Sequence, residues 1–225
     1  MGGERGALIS FPAMTSPRQS SQSTTPPAPS ATERSAPARV GAVLFRNRSW
    51  LPVPFLLVAL LAPGYATRWN WIAGAVLIVF GEWIRMSGVA AAGTVTRRRS
   101  RDVQRLVTYG VFRWVRNPLY VGNFFIWMGF VVISGVMWFL PLAVLIFAAE
   151  YTLIVRYEEG VLESIFGQEY LDYKQTTPRW LPRPPKQPES GPHDWREAWR
   201  SEISTFLQYL ALVVLFLVKQ KVWWK

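Results

Sequence analysis

Two polar clusters hold the side chains of this chain that could do chemistry. The first runs Arg113-Trp114-Val115-Arg116-Asn117-Pro118-Leu119-Tyr120-Val121-Gly122-Asn123. The second begins Arg156-Tyr157-Glu158-Glu159-Gly160-Val161-Leu162. It continues through Phe166-Gly167-Gln168-Glu169-Tyr170-Leu171-Asp172-Tyr173 to Pro178 and Pro182. A hydrophobic hairpin lies between them, so both clusters fall at the same end of a membrane-buried helix pair. Charged groups at such an end suit a polar ligand held at the membrane surface. The chemistry implied joins something lipid-soluble to something water-soluble.

Each cluster has its own physical logic. Pro118 stands in the first turn of a helix, where its missing N–H sacrifices no hydrogen bond, and Asn117 reads as the N-cap. Open amides at a helix start can receive a carboxylate or phosphate, and Arg113 and Arg116 add positive charge beside them. Gly122 allows close approach of another helix or of a ligand. In the second cluster one glutamate can pair with Arg156 while the other points away. A carboxylate there can accept from ribose hydroxyls or an amino group, and it favours a sulfonium cation at short range. The same residues also read as a capped membrane helix with topology-setting arginines and a solvated helix end.

The elements that position these groups are mostly membrane helices. The chain has 225 residues and half of them are hydrophobic, with 12 Trp and 13 Phe. Its apolar residues come in blocks near membrane-spanning length. It has no cysteine, which excludes disulfides and cysteine-based metal sites. Its one histidine, His193, lies in a Pro-rich connector, which argues against a histidine triad, most zinc chemistry and any resident metal. The net charge of +11 sits between the apolar blocks and reads as topology and attraction to anionic lipid, with no nucleic-acid partner.

The expected fold is all-α, a polytopic membrane bundle of about five segments with a tight hairpin and a cytoplasmic ligand site. Residues 1–40 are polar and Pro-rich and are expected to be disordered. Residues 41–183 form the membrane core, and 184–225 hold a Pro-rich connector, an amphipathic helix and a last membrane helix. The segments run from about Trp50 to Ala66, Trp71 to Ala92, Tyr120 to Ile133, Val136 to Tyr157 and Ser204 to Val218. The fourth continues as a helix through Ile165 to a C-cap at Gly167, and a short helix follows from about Glu169 to Thr176. Ser134-Gly135 is the hairpin link, and Glu82 and Arg85, one turn apart, can pair inside the second segment. Asp194 can cap the amphipathic helix that carries Trp195 and Trp199. The basic run from Thr94 to Asn117 belongs in the cytoplasm, and a bacterial inner membrane is expected.

The ordered set Arg-Asn-Pro-Leu-Tyr-Val-Gly, hairpin, Glu-Glu, Phe-Gly-x-Glu-Tyr-x-x-Tyr and closing Pro resembles the isoprenylcysteine carboxyl methyltransferase family. Phospholipid N-methyltransferases share the plan. The resemblance covers about residues 80–183. It implies an integral membrane enzyme that uses S-adenosylmethionine and takes a lipid or isoprenoid acceptor from the bilayer. By position it implies Arg116, Asn117, Pro118, Tyr120, Gly122, Glu158 and Glu159 as cofactor-binding residues, closed over by Tyr170 and Tyr173. Arg156 matches a basic position that could meet an anionic acceptor, and Glu159, with Arg156, is assigned to catalysis.

One departure bears on the chemistry. The family has histidine where this chain has Asn117, and asparagine cannot accept a proton at neutral pH. A carboxylate acceptor is already deprotonated, whereas an amine must first lose a proton. The site therefore suits a carboxylate better than a phospholipid amine, although Glu158 or Glu159 could act as base. Amine methylation, an NADPH-dependent sterol-type reductase and a non-catalytic scaffold are the alternatives. The acceptor's identity and the oligomeric state are not readable from sequence.

Overall fold

The structure, a computed structural model, describes residues 36–93, 105–185 and 191–223. The expectations for residues 1–35, for the basic stretch 94–104 and for 186–190 of the Pro-rich connector lie outside the described residues. The described chain is helical: α1 (Ala36–Arg46), α2 (Pro52–Leu61), α3 (Arg68–Ala92), α4 (Pro118–Ser134), α5 (Phe139–Phe166), α6 (Gln168–Thr176) and α7 (Trp195–Trp223). A single 3-10 turn at Gly110–Arg113 precedes α4. No strand occurs among the described residues.

Local chemistry fixes most helix ends. Thr67 and Asn70 form a reciprocal capping box at the start of α3, with Thr67 N–H donating to Asn70 Oδ1 at 3.0 Å. Pro118 opens α4, and Gly135 closes it in the left-handed conformation at φ 72°. A side chain at Gly135 would also run into the backbone of Tyr65 and Ala66. Gly167, at φ 53°, ends α5 and turns the chain into α6. Asp194 caps α7, its Oδ1 accepting from Glu197 N–H at 2.8 Å.

α3 and α4 form the most extensive contact in the molecule, and glycine makes it possible. They run antiparallel, with Gly81 facing Gly122 and Gly74 facing Gly129. A Cβ on Gly81 would stand 2.5 Å from the Gly122 carbonyl oxygen, and one on Gly122 would stand 2.5 Å from that of Gly81. The Gly74–Gly129 pair is equally reciprocal, at 2.6 and 2.8 Å. Small residues let two backbones touch where lipid offers no hydrophobic drive for association. The other side of α4 packs against α2 and α5 through aromatic rings. Phe55 meets Trp127 at 4.8 Å and Phe139 at 5.0 Å, while Trp127 meets Phe147 at 5.2 Å between ring centres. Such pairs add about 0.5–1.5 kcal/mol each beyond their area.

Among the described residues three helices, α3, α5 and α7, are long and apolar enough to cross a membrane, against about five expected. Helix α4, with 17 residues, spans about 25 Å and sits at the lower limit. The first expected segment is shorter still. Only Pro52–Leu61 is helical in α2, about 15 Å long, because Pro63 and Gly64 stop it against the α4–α5 turn. Its amino-terminal continuation is a separate helix. α1 begins at Ala36, inside the segment expected to be disordered, where Gly41 lets it lie directly on the backbone of α5 at Leu153.

Two more boundaries differ. The hairpin link runs from Gly135 to Trp138 rather than ending at Gly135, with Phe139 N–H bonded to Val136 O at 3.0 Å. The amphipathic helix and the last span are one continuous helix, α7. No glycine or proline interrupts residues 195–218, so nothing breaks it between its charged and apolar parts. Near the far end of α7, buried Lys219 donates to Ala59 O at 2.6 Å and Ser134 O at 3.0 Å, satisfying carbonyls at the ends of α2 and α4.

Candidate active site

The two glutamates of α5 face different partners. Adjacent helical residues point about 100° apart, and here that rotation separates two environments. Glu159 is 4% exposed and lies between two guanidinium groups. Arg116 donates to its Oε1 from Nε at 3.2 Å and from Nη2 at 3.0 Å. Arg179 donates from Nε to Oε1 at 3.0 Å and from Nη2 to Oε2 at 2.6 Å. Two cations on one carboxylate offset the desolvation that a lone buried charge would suffer.

Arg116 reaches further. Its Nη1 donates to the carbonyls of Lys174 at 2.9 Å and Thr177 at 2.5 Å, which closes the end of α6. α6 and the strap after it are laced to the segment before α4 by four more bonds. Arg116 N–H meets Pro178 O at 2.9 Å, and Arg183 N–H meets Trp114 O at 3.0 Å. Asn117 Nδ2 donates to Arg179 O at 3.2 Å, and the Tyr173 hydroxyl donates to Phe112 O at 2.6 Å. Burial pushes the Tyr170 and Tyr173 hydroxyls well above the usual phenol range. The hydrogen bonds it donates to Glu159 raise the pKa of Arg179.

Glu158 belongs to a second group. It interacts with the Tyr120 hydroxyl and with the charge of Arg48. Arg48 comes from the break between α1 and α2, and its Nη1 lies 3.4 Å from the Tyr120 hydroxyl. Tyr120 in turn packs on Tyr151 at 5.0 Å between ring centres. Nothing in the sequence joined Arg48 to this site, because its partners lie about seventy or more positions away and only the fold brings them together.

A third polar layer lies deeper. Arg85 donates to Asn123 Oδ1 at 2.8 Å and to both carboxylate oxygens of Glu202 at 3.1 and 3.2 Å. Glu82 sits 3.7 Å from Arg85 and accepts from the Tyr209 hydroxyl at 2.9 Å. The expected Glu82–Arg85 pair is therefore present, but α7 and α4 supply the shorter bonds.

The structure distributes the expected site residues unevenly. Arg116, Asn117, Glu159, Tyr170 and Tyr173 come together around the strap, while Tyr120 and Glu158 meet beside Arg48. Gly122 is absorbed in the α3 seam, and buried Pro118 packs near Gly88. Arg156 is exposed and stands about 200° around α5 from Glu158. Neither glutamate takes Arg156 as the expected partner: Glu159 takes Arg116 and Arg179 instead. Asn117 occupies the N-cap position through its carbonyl, which accepts from Tyr120 and Val121 N–H at 3.1 Å. Its side chain makes no cap bond and ties down the strap instead. Among the described residues no group of three His, Cys, Asp or Glu side chains could hold a metal ion.

Comparison with known proteins adds the following. The family model for phospholipid methyltransferase matches residues 69–169. A mouse protein-S-isoprenylcysteine O-methyltransferase is 35% identical over 122 residues, 51% of this chain and 42% of its own length. The human protein of that name is 37% identical over 123 residues, with the same coverage of 51% and 42%. A probable protein-S-isoprenylcysteine O-methyltransferase from indica rice is 34% identical over 144 residues, 60% of this chain and 73% of its own length. The chain thus spans about two fifths of the mammalian relatives and most of the plant one. No solved structure matches.

Proposed function

Because the chain belongs to the protein-S-isoprenylcysteine O-methyltransferase family and is an integral membrane protein, we propose that it methylates the carboxylate of a lipid-soluble, isoprenyl-bearing acceptor. S-adenosylmethionine is the proposed donor. When bound it would supply a methyl group on a sulfonium for transfer to the acceptor's carboxylate oxygen, with a neutral thioether as the leaving group and a neutral ester as the product. Such a transfer needs no proton movement, so a site with Asn117 where the family has histidine is not handicapped.

The observation that carries this reading is the division between the two glutamates. Glu159 is committed to Arg116 and Arg179 and holds the strap in place. Glu158 stands with Tyr120 at the mouth of α4, one helical face away. A carboxylate there fits the positive charge of a sulfonium cofactor, and Asn117 and Tyr120 offer hydrogen-bonding groups beside it. Glu159 and Arg116 then act as positioning residues, since alignment of the two reactants supplies much of the acceleration in an in-line displacement. Tyr170 and Tyr173 keep water out from above.

We assign the polar end, where Arg46, Arg48, Arg105, Arg113 and Arg116 gather, to the cytoplasm of a bacterial inner membrane, following the positive-inside rule. Residues 41–183 are the proposed catalytic core, completed by α7 through Glu202.

The test uses detergent-purified full chain. Calorimetry should show S-adenosylmethionine binding at micromolar affinity, weakened by Glu158→Gln. N-acetyl-S-farnesylcysteine should become methylated, and phosphatidylethanolamine should not. Methylated amine product from phosphatidylethanolamine alone would move the reading to the lipid N-methyltransferases. Failure to bind S-adenosylmethionine would remove it altogether.

A further inference from the structure

The break between α1 and α2 brings a cation into the site that the family resemblance does not reach. Residues 47–51 interrupt what the hydropathy presents as one approach to the membrane. Broken helices at membrane depth occur where backbone and side chains line a polar ligand site. Here the break carries Arg48. Its guanidinium rests over the Phe45 ring at 4.4 Å, and its Nη1 points at the Tyr120 hydroxyl 3.4 Å away. The same charge acts on Glu158 and Tyr151.

We propose that Arg48 is the residue that receives the acceptor's carboxylate. This rests on the methyltransferase reading above and deepens it by naming what distinguishes the acceptor. In the structure Arg48 and Glu158 balance one another across Tyr120. The two reactants carry the same pair of charges, a net positive sulfonium donor and a negative acceptor. Exchange of partners, Glu158 to the donor and Arg48 to the acceptor, leaves the local charge at zero throughout. With a neutral acceptor the donor would still draw Glu158 from Arg48, and nothing would replace it. An amine acceptor would leave Arg48 in the same state, so the arrangement selects carboxylates. Selection by leaving the wrong substrate's partner charge uncompensated is the strong form of discrimination.

The geometry suits a head group arriving from the bilayer. Trp50 within the break and Val53 just after it are exposed among apolar surface, so an isoprenoid tail can stay in lipid while its carboxylate turns inward. Arginine is also the side chain that grips a carboxylate through two parallel bonds. Arg156, exposed on the other side of α5, does not share this position.

The experiment compares Arg48→Gln, Arg48→Lys and Arg46→Gln, the last an exposed neighbour outside the site. The acceptors are N-acetyl-S-farnesylcysteine and its carboxamide, the latter as a competitive inhibitor. Arg48→Gln should raise the acceptor KM about tenfold or more while changing the dissociation constant of S-adenosylmethionine less than about threefold. Arg48→Lys should recover part of the loss, and Arg46→Gln should resemble wild type. Wild type should bind the carboxamide about tenfold more weakly than the acid, and Arg48→Gln should bind both alike. An unchanged KM, equal loss for acid and amide, or loss of cofactor binding in Arg48→Gln would each overturn the assignment. So would wild type binding acid and amide equally, which can be read even if the variants fold poorly. A wild-type protein that neither binds the cofactor nor methylates the acid would instead overturn the methyltransferase reading.

Discussion

A single guanidinium nitrogen of Arg85 on α3 reaches both carboxylate oxygens of fully buried Glu202 on α7, at 3.1 and 3.2 Å. The pair ties the carboxyl-terminal helix to the core, and a second carboxylate, Glu82, stands 3.7 Å from the same arginine. Arg85→Leu should therefore cost more than Glu202→Leu, since it leaves two carboxylates facing each other without their cation. The expected losses are on the order of 3 kcal/mol or more for the first and less for the second. Unfolding temperatures in detergent give the order, and the reverse order would show that Glu82 contributes little.

The glycine seam makes an opposite pair of predictions. Gly81→Ala puts a Cβ 2.5 Å from a carbonyl oxygen that cannot move without shifting α4, and should cost about 1–3 kcal/mol. Gly160→Ala meets nothing within 4 Å and lies inside α5, so it should stabilise by about 0.5–1 kcal/mol. Both are read as shifts in thermal unfolding, and equal effects would contradict the seam.

Glu159 and Glu158 should separate cleanly. Glu159→Gln removes the charge that Arg116 and Arg179 share, so the strap at 177–183 should become sensitive to trypsin after Arg179. Glu158→Gln should leave the strap resistant and weaken S-adenosylmethionine binding. Cleavage rates and calorimetry on the same two preparations check this; matching behaviour of the two variants would collapse the distinction.

Alkaline stability follows from Tyr173. Its hydroxyl, bonded to Phe112 O at 2.6 Å, has its pKa raised by burial. A raised folded pKa means that the folded state holds the proton longer than the unfolded one. The contribution is thus complete below the ordinary phenol value of about 10 and is lost as pH rises above it toward the folded value. Tyr173→Phe should lower stability by about 1 kcal/mol at neutral pH and flatten the decline above about pH 10. An unchanged alkaline slope would mean that Tyr173 does not report the strap.

Much of the fold is legible in local chemistry. Pro118, Gly135 and Gly167 punctuate α4 and α5 because each acts through its own backbone, and such signals survive without knowledge of neighbours. Asp194 starts α7 through its own side chain, an equally local signal. What escaped depends on partners far away in the chain. Glu202 is buried only because α7 places it opposite Arg85, a partner on a helix far away in the chain. Glycines at 74, 81 and 88 recur every seven residues and could have marked a helix seam, with Gly122 and Gly129 answering on α4. The divergence of Glu158 and Glu159 was implicit in their adjacency on a helix, but which of them met two arginines required the strap. Arg48 was hidden by a helix break that hydropathy smooths over.

The two ends of α7 together restrict how the molecule can open. Glu202 anchors it near the polar end, and Lys219 holds the carbonyls of Ala59 and Ser134 about 25 Å further along the helix. A helix fastened at two depths cannot slide like a piston, and it cannot rotate about its axis without breaking both fastenings. Passage of reactants at the polar end is left to parts outside α7 and the laced strap, and the α1–α2 break with its exposed Trp50 is the one turned toward lipid. The molecule behaves as a bolted frame with one hinged edge on its lipid side.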